Sequence, residues 1–294
     1  MSLVPFDDRD GWIWLDGQFV PWREAKVHVL THGLHYASSV FEGERMYGGE
    51  IYKLTAHTER LFQSAEILDF EIPYTVSEID EACKATCAKN GLTDAYVRPI
   101  AWRGSEMIGV SAQQTKIHVA IAVWDWPSYF EPEQKKPRAS AWPGPSTSAL
   151  AEDRPPAAKA AGLYMICTIS KHAAEKDGYS DAMMLDYRGY VAEATGANVF
   201  FVKDGVLHTP TPDCFLNGIT RQSVMKLAKQ RARGGRAPHQ AGRDGGLHRM
   251  LHRRHRRRGH PGGRGRRVPL HPRPDLAELM DDYARLVRRE LVPA

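Results

Sequence analysis

The sequence predicts an α+β fold, and three observations carry that prediction. Short stretches alternate apolar and polar residues between turn residues, as half-buried strands do. Longer stretches carry their apolar residues at helical spacing. Between them runs a polar, proline-bearing segment, EPEQKKPR, which reads as an interdomain linker.

The first strands fall within residues 11–54. WIWLDGQFV alternates around Asp16-Gly17, a dipeptide suited to a two-residue hairpin turn. KVHVLTHGL and YGGEIYKL continue the alternation. Residues 55–70 switch to helical period, with Leu61, Ala65 and Leu68 on one face. SEIDEACKATCAKNG is expected as a helix capped by Ser77, acidic in its first turn and stopping at Gly91. AYVRPIAWRG and KIHVAIAVWDW read as strands. This gives a domain at 1–130, a linker at 131–137 and a second domain at 138–294.

In the second domain RASAWP is expected as a strand and AAGLYMICTISKHAAEKDGY as a helix. DAMMLDYRGYVAEA and NVFFVKDGVLHTP read as hairpins, and ITRQSVMKLAKQR as a helix entered at Gly218. DLAELMDDYARLVRREL is an amphipathic helix with Leu276, Leu279, Met280, Tyr283, Leu286 and Val287 on its apolar face.

With 294 residues, 42% of them hydrophobic and 26% charged, the chain can bury one large or two modest cores. It has neither a signal-peptide pattern at its start nor a run approaching the roughly 20 apolar residues of a membrane span, so a cytoplasmic location is expected. Cys83 and Cys87 lie four apart, but no second Cys or His pair stands near them at zinc-ligand spacing. Together with Cys167 and Cys214 they are expected as neutral thiols, with neither a metal site nor a disulfide framework.

Several residues have the chemistry of a pyridoxal phosphate site. Lys159 stands in PPAAKAAGLYM, where small neighbours leave room for a ring and partial burial would lower the amine's pKa. A solvated surface lysine is the alternative. Tyr164, five residues on, could hydrogen-bond a phenolate, or be an ordinary core tyrosine. Glu193 follows an apolar strand pattern and needs a partner if buried; a protonated pyridine nitrogen would serve, as would a salt bridge within the hairpin. Gly218, Ile219 and Thr220 lead into a helix whose start favours a phosphate. Arg60 would add a charge-assisted bond to the same phosphate.

The chain resembles the branched-chain amino acid aminotransferases of the class IV (fold-type IV) pyridoxal phosphate enzymes. The resemblance is carried by HGLHYASSVFEGER at 32–45, AHTERLFQSAEILDF at 56–70, AYVRPIAWRG at 95–104 and AAKAAGLYM at 157–165. GYVAEATGANVFFVKDGVLHTP at 189–210 and LNGITRQSVMKLAK at 216–229 complete it. The resemblance implies a small N-terminal α/β domain and a larger C-terminal one with a β-barrel-like core. It makes Lys159 the residue that carries the cofactor as a Schiff base and moves the substrate Cα proton. Glu193 would bind the pyridine nitrogen, Tyr164 the O3′, and Arg60, Gly218, Ile219 and Thr220 the phosphate, with Leu216 packed on the ring. Tyr36, Phe41, Arg98, Trp126 and Tyr129 resemble the substrate pocket, whose aromatic walls suit leucine, isoleucine and valine and whose arginine helps bind a carboxylate. The implied acceptor is 2-oxoglutarate, and the implied assembly a homodimer or higher oligomer. D-amino acid aminotransferase and aminodeoxychorismate lyase share the lysine and glutamate; HYASSVFEGER and AYVRP favour the branched-chain enzyme.

The resemblance stops after Gln230 and returns at Asp275. Residues 232–273 hold 13 Arg, 9 Gly, no Lys, no aromatic residue and one acid, Asp244. A charge of +5 overall against +12 in this stretch leaves −7 for the rest. Such a composition cannot pack as a core. An Arg/Gly-rich arm for nucleic acid is one reading. The other is a compensated pair of frameshifts. With G/C-rich codons, moving the frame by one nucleotide yields text containing GGTAAEVTPV, the phosphate and carboxylate loop that the family places here. The second reading is the stronger, because random frames give stops and nonsense. It leads to the expectation that the chain as written is catalytically impaired and has no specific nucleic-acid partner.

Overall fold

The computed structural model describes residues 5–125, 155–179, 181–203, 206–233 and 274–290. The chain divides into two compact units, one of Met1–Tyr129 with Ala158–Leu163, the other of Phe130–Ala157 with Tyr164–Ala294.

The first unit is built on a seven-stranded antiparallel sheet. Its strands are β1 (Trp12–Leu15), β2 (Gln18–Pro21), β3 (Ser39–Phe41), β4 (Glu44–Tyr47), β5 (Glu50–Ile51), β6 (Ala95–Arg103) and β7 (Ile117–Trp124). They run in the order β2-β1-β7-β6-β4-β5, with β3 also paired to β6. Asp16 and Gly17 join β1 to β2 with φ of 47° and 89°, the positive values that a two-residue hairpin turn demands and that this dipeptide tolerates. The spine is β6 on β7, in register from Tyr96↔Trp124 to Arg103↔Ile117. Helices α2 (Leu54–Ile67) and α3 (Val76–Lys89) supply Leu61, Ala65, Ile79, Cys83 and Cys87 to a core shared with Val97, Val119, Ile121 and Val123 of the strands.

Two sequence expectations change here. Ser77 does not cap α3. Thr75 does: its hydroxyl accepts from Glu78 N–H at 3.2 Å, and the Glu78 carboxylate accepts from Thr75 N–H at 2.6 Å. This reciprocal box needs an acid three residues beyond the cap at hydrogen-bonding reach, which Glu78 gives Thr75. KVHVLTHGL forms no strand; it ends in a short helix, α1 (His32–Tyr36), and leaves Val27, Val29 and Leu30 exposed. The His32 ring is the reason. Its nitrogens bond the Ser38 hydroxyl at 2.5 Å and the Gly109 carbonyl at 2.7 Å, which pins the chain in a bend.

In the second unit α4 spans Tyr164–Lys176. Hairpins β8–β9 (Met183–Leu185, Val191–Ala194) and β10–β11 (Phe201–Lys203, Val206–His208) follow, then α5 (Ile219–Arg233) and α6 (Pro274–Val287). Among the described residues its strands form two two-stranded sheets. Leu279, Leu286 and Val287 of α6 are buried, but Met280 is 57% exposed, so the apolar face is narrower than its spacing suggested. Arg231 of α5 pairs with Glu278 and Asp282 of α6. RASAWP, the 131–137 linker, Trp126, Tyr129 and residues 234–273 lie outside the described residues. No described helix is long and apolar enough to cross a membrane.

Candidate active site

Lys159 is held against the first unit by its own backbone. Its carbonyl accepts from Phe41 N–H at 3.1 Å, its N–H donates to Ser64 Oγ at 3.0 Å, and Ala160 bridges to Val40. The half-buried side chain places Nζ 4.8 Å from the centre of the Phe41 ring. The Arg98 guanidinium lies 4.7 Å from the same ring. One aromatic ring therefore carries an amine and a guanidinium, each favoured by the ring's negative face. Arg98 also donates to the Tyr96 hydroxyl at 2.8 Å.

Arg60 belongs to a buried ionic network. Its Nε and Nη2 donate to the two oxygens of Glu42, each at 2.7 Å, and the His57 ring bonds Glu42 at 2.7 Å. Glu42 is fully buried. Burial alone would raise its pKa, but the hydrogen bonds from His57 and Arg60 outweigh it and hold the carboxylate at about 2. Burial lowers the His57 pKa, so the neutral ring donates Nδ1–H to Glu42. Arg60 Nη1 is buried with no partner among the described residues. A phosphate oxygen is the acceptor such a donor wants.

Glu44, two residues further on, is also buried, and neither of its oxygens finds a hydrogen-bond partner among the described residues. Burial first, then the nearby Glu42 and Asp80 charges, push its pKa well above the ordinary value, so it is a neutral acid. Tyr36, on α1, is 45% exposed and stacks on His32 with centroids 4.6 Å apart.

In the second unit one amide ties the predicted residues together. Asn198 Nδ2 donates to Glu193 Oε2 at 3.0 Å and to the Leu216 carbonyl at 3.1 Å, while its Oδ1 accepts from Gly218 N–H at 3.2 Å. A Cβ at Gly218 would strike Asn198 Oδ1, which is why glycine stands there. Ile219 and Thr220 open α5, where the first N–H groups have no intrahelical acceptor and the helix dipole is positive. Thr220 Oγ1 lies 3.4 Å from the Tyr283 hydroxyl. Tyr164 is the half-buried first residue of α4. Arg221 staples the preceding loop to α5 through Thr209, Pro210 and Asn217.

Sequence reasoning missed Asn198, Glu42, His57 and Tyr96. The signal available for Asn198 was a single amide entering an apolar run, and for Glu42 an acid beside a buried strand. Asp186, Asp213 and Cys214 also converge, but Arg188 binds both carboxylates, at 2.6 and 2.8 Å, and supplies their countercharge. All four cysteines are free; burial pushes the Cys83 thiol well up and the Cys87 thiol to about 12, which makes both unreactive.

A family model for the class IV amino-transferases matches residues 39–235. The branched-chain-amino-acid aminotransferase of Pseudomonas aeruginosa is 44% identical over 227 residues, 76% of this chain and 74% of that protein. The Escherichia coli K12 enzyme of the same name is 39% identical over 225 residues, 74% and 73% of the two chains. Solved structures are similar as well. The branched-chain amino acid aminotransferase of Thermobaculum terrenum, in its PLP-bound holo-form, has a TM-score of 0.69 at 28% identity, covering 79% of this chain and 76% of its own. The branched-chain aminotransferase of Thermoproteus uzoniensis with norvaline has a TM-score of 0.78 at 28% identity, covering 96% of each.

Proposed function

The chain belongs to the class IV aminotransferases, and on that premise we propose that it moves the amino group of L-leucine, L-isoleucine and L-valine to 2-oxoglutarate. The observation that carries this reading is the Phe41 ring with Lys159 and Arg98 upon it. It joins a reactive amine, an apolar wall and a carboxylate-binding cation in one cluster.

The family's cofactor is pyridoxal phosphate, and two features of the chain fit it: the buried Arg60 Nη1, without a partner among the described residues, and the glycine-led start of α5. When bound, it provides an electron sink for the pair left on the substrate Cα after deprotonation. The residues do the rest. Lys159 Nζ would take the proton from the substrate Cα and move it across the nitrogen being transferred, so that the amine stays with the cofactor. Arg60 Nη1 would offer a donor to a phosphate, and so, in the second unit, would the N–H groups of Ile219 and Thr220 at the helix start that follows Gly218. Glu193, oriented by Asn198, takes the pyridine N–H; Tyr164 donates to the ring oxygen; and Leu216 packs on the ring face. Phe41 and Tyr36 would wall the aliphatic side chain, and Arg98 would hold a carboxylate.

We also propose a homodimer in the cytoplasm. Val29, Leu34, Ile108 and Val110 are exposed by 58–87%, an apolar surface suited to a second copy. We propose a domain boundary near residue 130.

The test is leucine-dependent glutamate formation by the cofactor-loaded protein. Lys159→Ala is expected to abolish it, and turnover that survives this change would overturn the reading. Replacing 232–273 by the shifted-frame sequence is expected to raise turnover on the order of 10²-fold, by restoring a positioning loop. Equal rates would contradict the frameshift.

A further inference from the structure

Behind Arg98 an aromatic column runs to the surface of the first unit. The Arg98 guanidinium lies over the Tyr96 ring at 5.2 Å while donating to its hydroxyl. Tyr96 stacks on Trp124, its register partner across β6–β7, with centroids 4.8 Å apart and planes at 29°. Phe6 meets Trp124 edge-on at 5.3 Å and 79°.

Phe6 is 46% exposed, so burial alone does not account for its placement. Its segment is anchored from several sides. The Phe6 carbonyl accepts from Trp22 Nε1 at 2.6 Å, and the Arg9 guanidinium lies 4.0 Å from the Phe6 ring centre. The flanking Asp8 and Asp10 bind Arg23 at 2.6 and 2.8 Å. Gly43 is close enough to the Tyr96 hydroxyl that a Cβ would strike it. Tyr96 thus touches Gly43 at its hydroxyl and Trp124 on its ring, and Trp124 is braced by Phe6.

We propose that Phe6 and Trp124 are positioning residues for Arg98. The 5–10 segment braces Trp124, Trp124 fixes the Tyr96 ring, and the Tyr96 hydroxyl sets the plane of the guanidinium that receives a substrate carboxylate. The proposal rests on the carboxylate-binding role given to Arg98 above. Without the brace the column loosens, and a long, rotamer-rich arginine must be ordered by the incoming ligand.

The experiment is calorimetric titration of the cofactor-loaded full chain with 2-oxoglutarate, alongside its melting temperature. Phe6→Ala is expected to weaken binding about threefold to tenfold, the worth of one edge-on aromatic contact. Phe6→Tyr, which keeps the edge, is expected to restore it. A purely structural role would lower the melting temperature of Phe6→Ala and leave 2-oxoglutarate affinity unchanged; that result overturns the proposal. Arg98→Met separates the two readings. If it leaves affinity unchanged, the role of Arg98 fails and the proposal falls with it. If Arg98→Met weakens binding but Phe6→Ala does not, only the brace is wrong.

Discussion

Glu42 and Glu44 stand two residues apart, both buried in the layer between the first unit's sheet and its helices, yet they carry opposite charge states. Around Glu42 the fold gathers Arg60 and His57, and the carboxylate stays ionised down to a pH of about 2. Around Glu44 it gathers apolar groups, two thiols and other acids, and the carboxyl stays protonated. Burial is the same in both regions; partners decide the charge. The ionised region fixes the Arg60 guanidinium in place. The neutral one has no such task and is a cost to the fold.

Breaking the ionised region is expected to have the largest effect. Glu42→Gln removes one partner of a buried pair and strands the Arg60 charge, at a cost of about 3–5 kcal/mol, to be read from urea unfolding. A loss below about 1 kcal/mol would mean that the pair is solvated. The pH dependence has a definite sign. The Glu42 pKa lies below its ordinary value when folded, so its contribution is present above about pH 4.5 and is lost as pH falls toward about 2. Acid unfolding of Glu42→Gln should be correspondingly shallower over that window.

The neutral region is expected to respond the other way. Glu44→Leu removes an unsatisfied buried carboxyl and should stabilise by about 1–3 kcal/mol. The folded Glu44 pKa is raised, so its stability term is intact below the ordinary value of 4.5 and is lost as pH rises. The advantage of Glu44→Leu over the unaltered chain should therefore grow from pH 4.5 to pH 8 in thermal melts. Glu44→Gln, which keeps the polarity and drops the titration, should flatten that pH dependence; an unchanged slope would show Glu44 to be ionised. The smallest effect is the baseline. Thr75→Ala removes the α3 cap, touches neither carboxyl and should cost about 1 kcal/mol equally at pH 5 and pH 8.

The contrast also marks what the sequence could show. Lys159, Glu193 and the Gly218 turn stood out as candidates because each sits in a distinctive local setting. Small residues flank the lysine, an acid ends an apolar strand and a glycine precedes a helix. The Asp16-Gly17 hairpin was legible for the same reason, since its backbone demands those residue types. What joins distant residues was not. Asn198 links Glu193 to Gly218 across a hairpin and a loop, and Glu42 reaches Arg60 and His57 on another element. Nothing local distinguishes the charge state of Glu42 from that of Glu44. Alternation misled at Val27 and Val29, because a period of two records apolar spacing and not whether a partner strand is there to use it.

The most direct measurement is borohydride reduction of the cofactor-loaded protein followed by peptide mass mapping. A pyridoxyl label on Lys159 alone, prevented by prior addition of L-leucine, is the result expected of a working aminotransferase site. A label scattered over surface lysines, or none on Lys159, would contradict it.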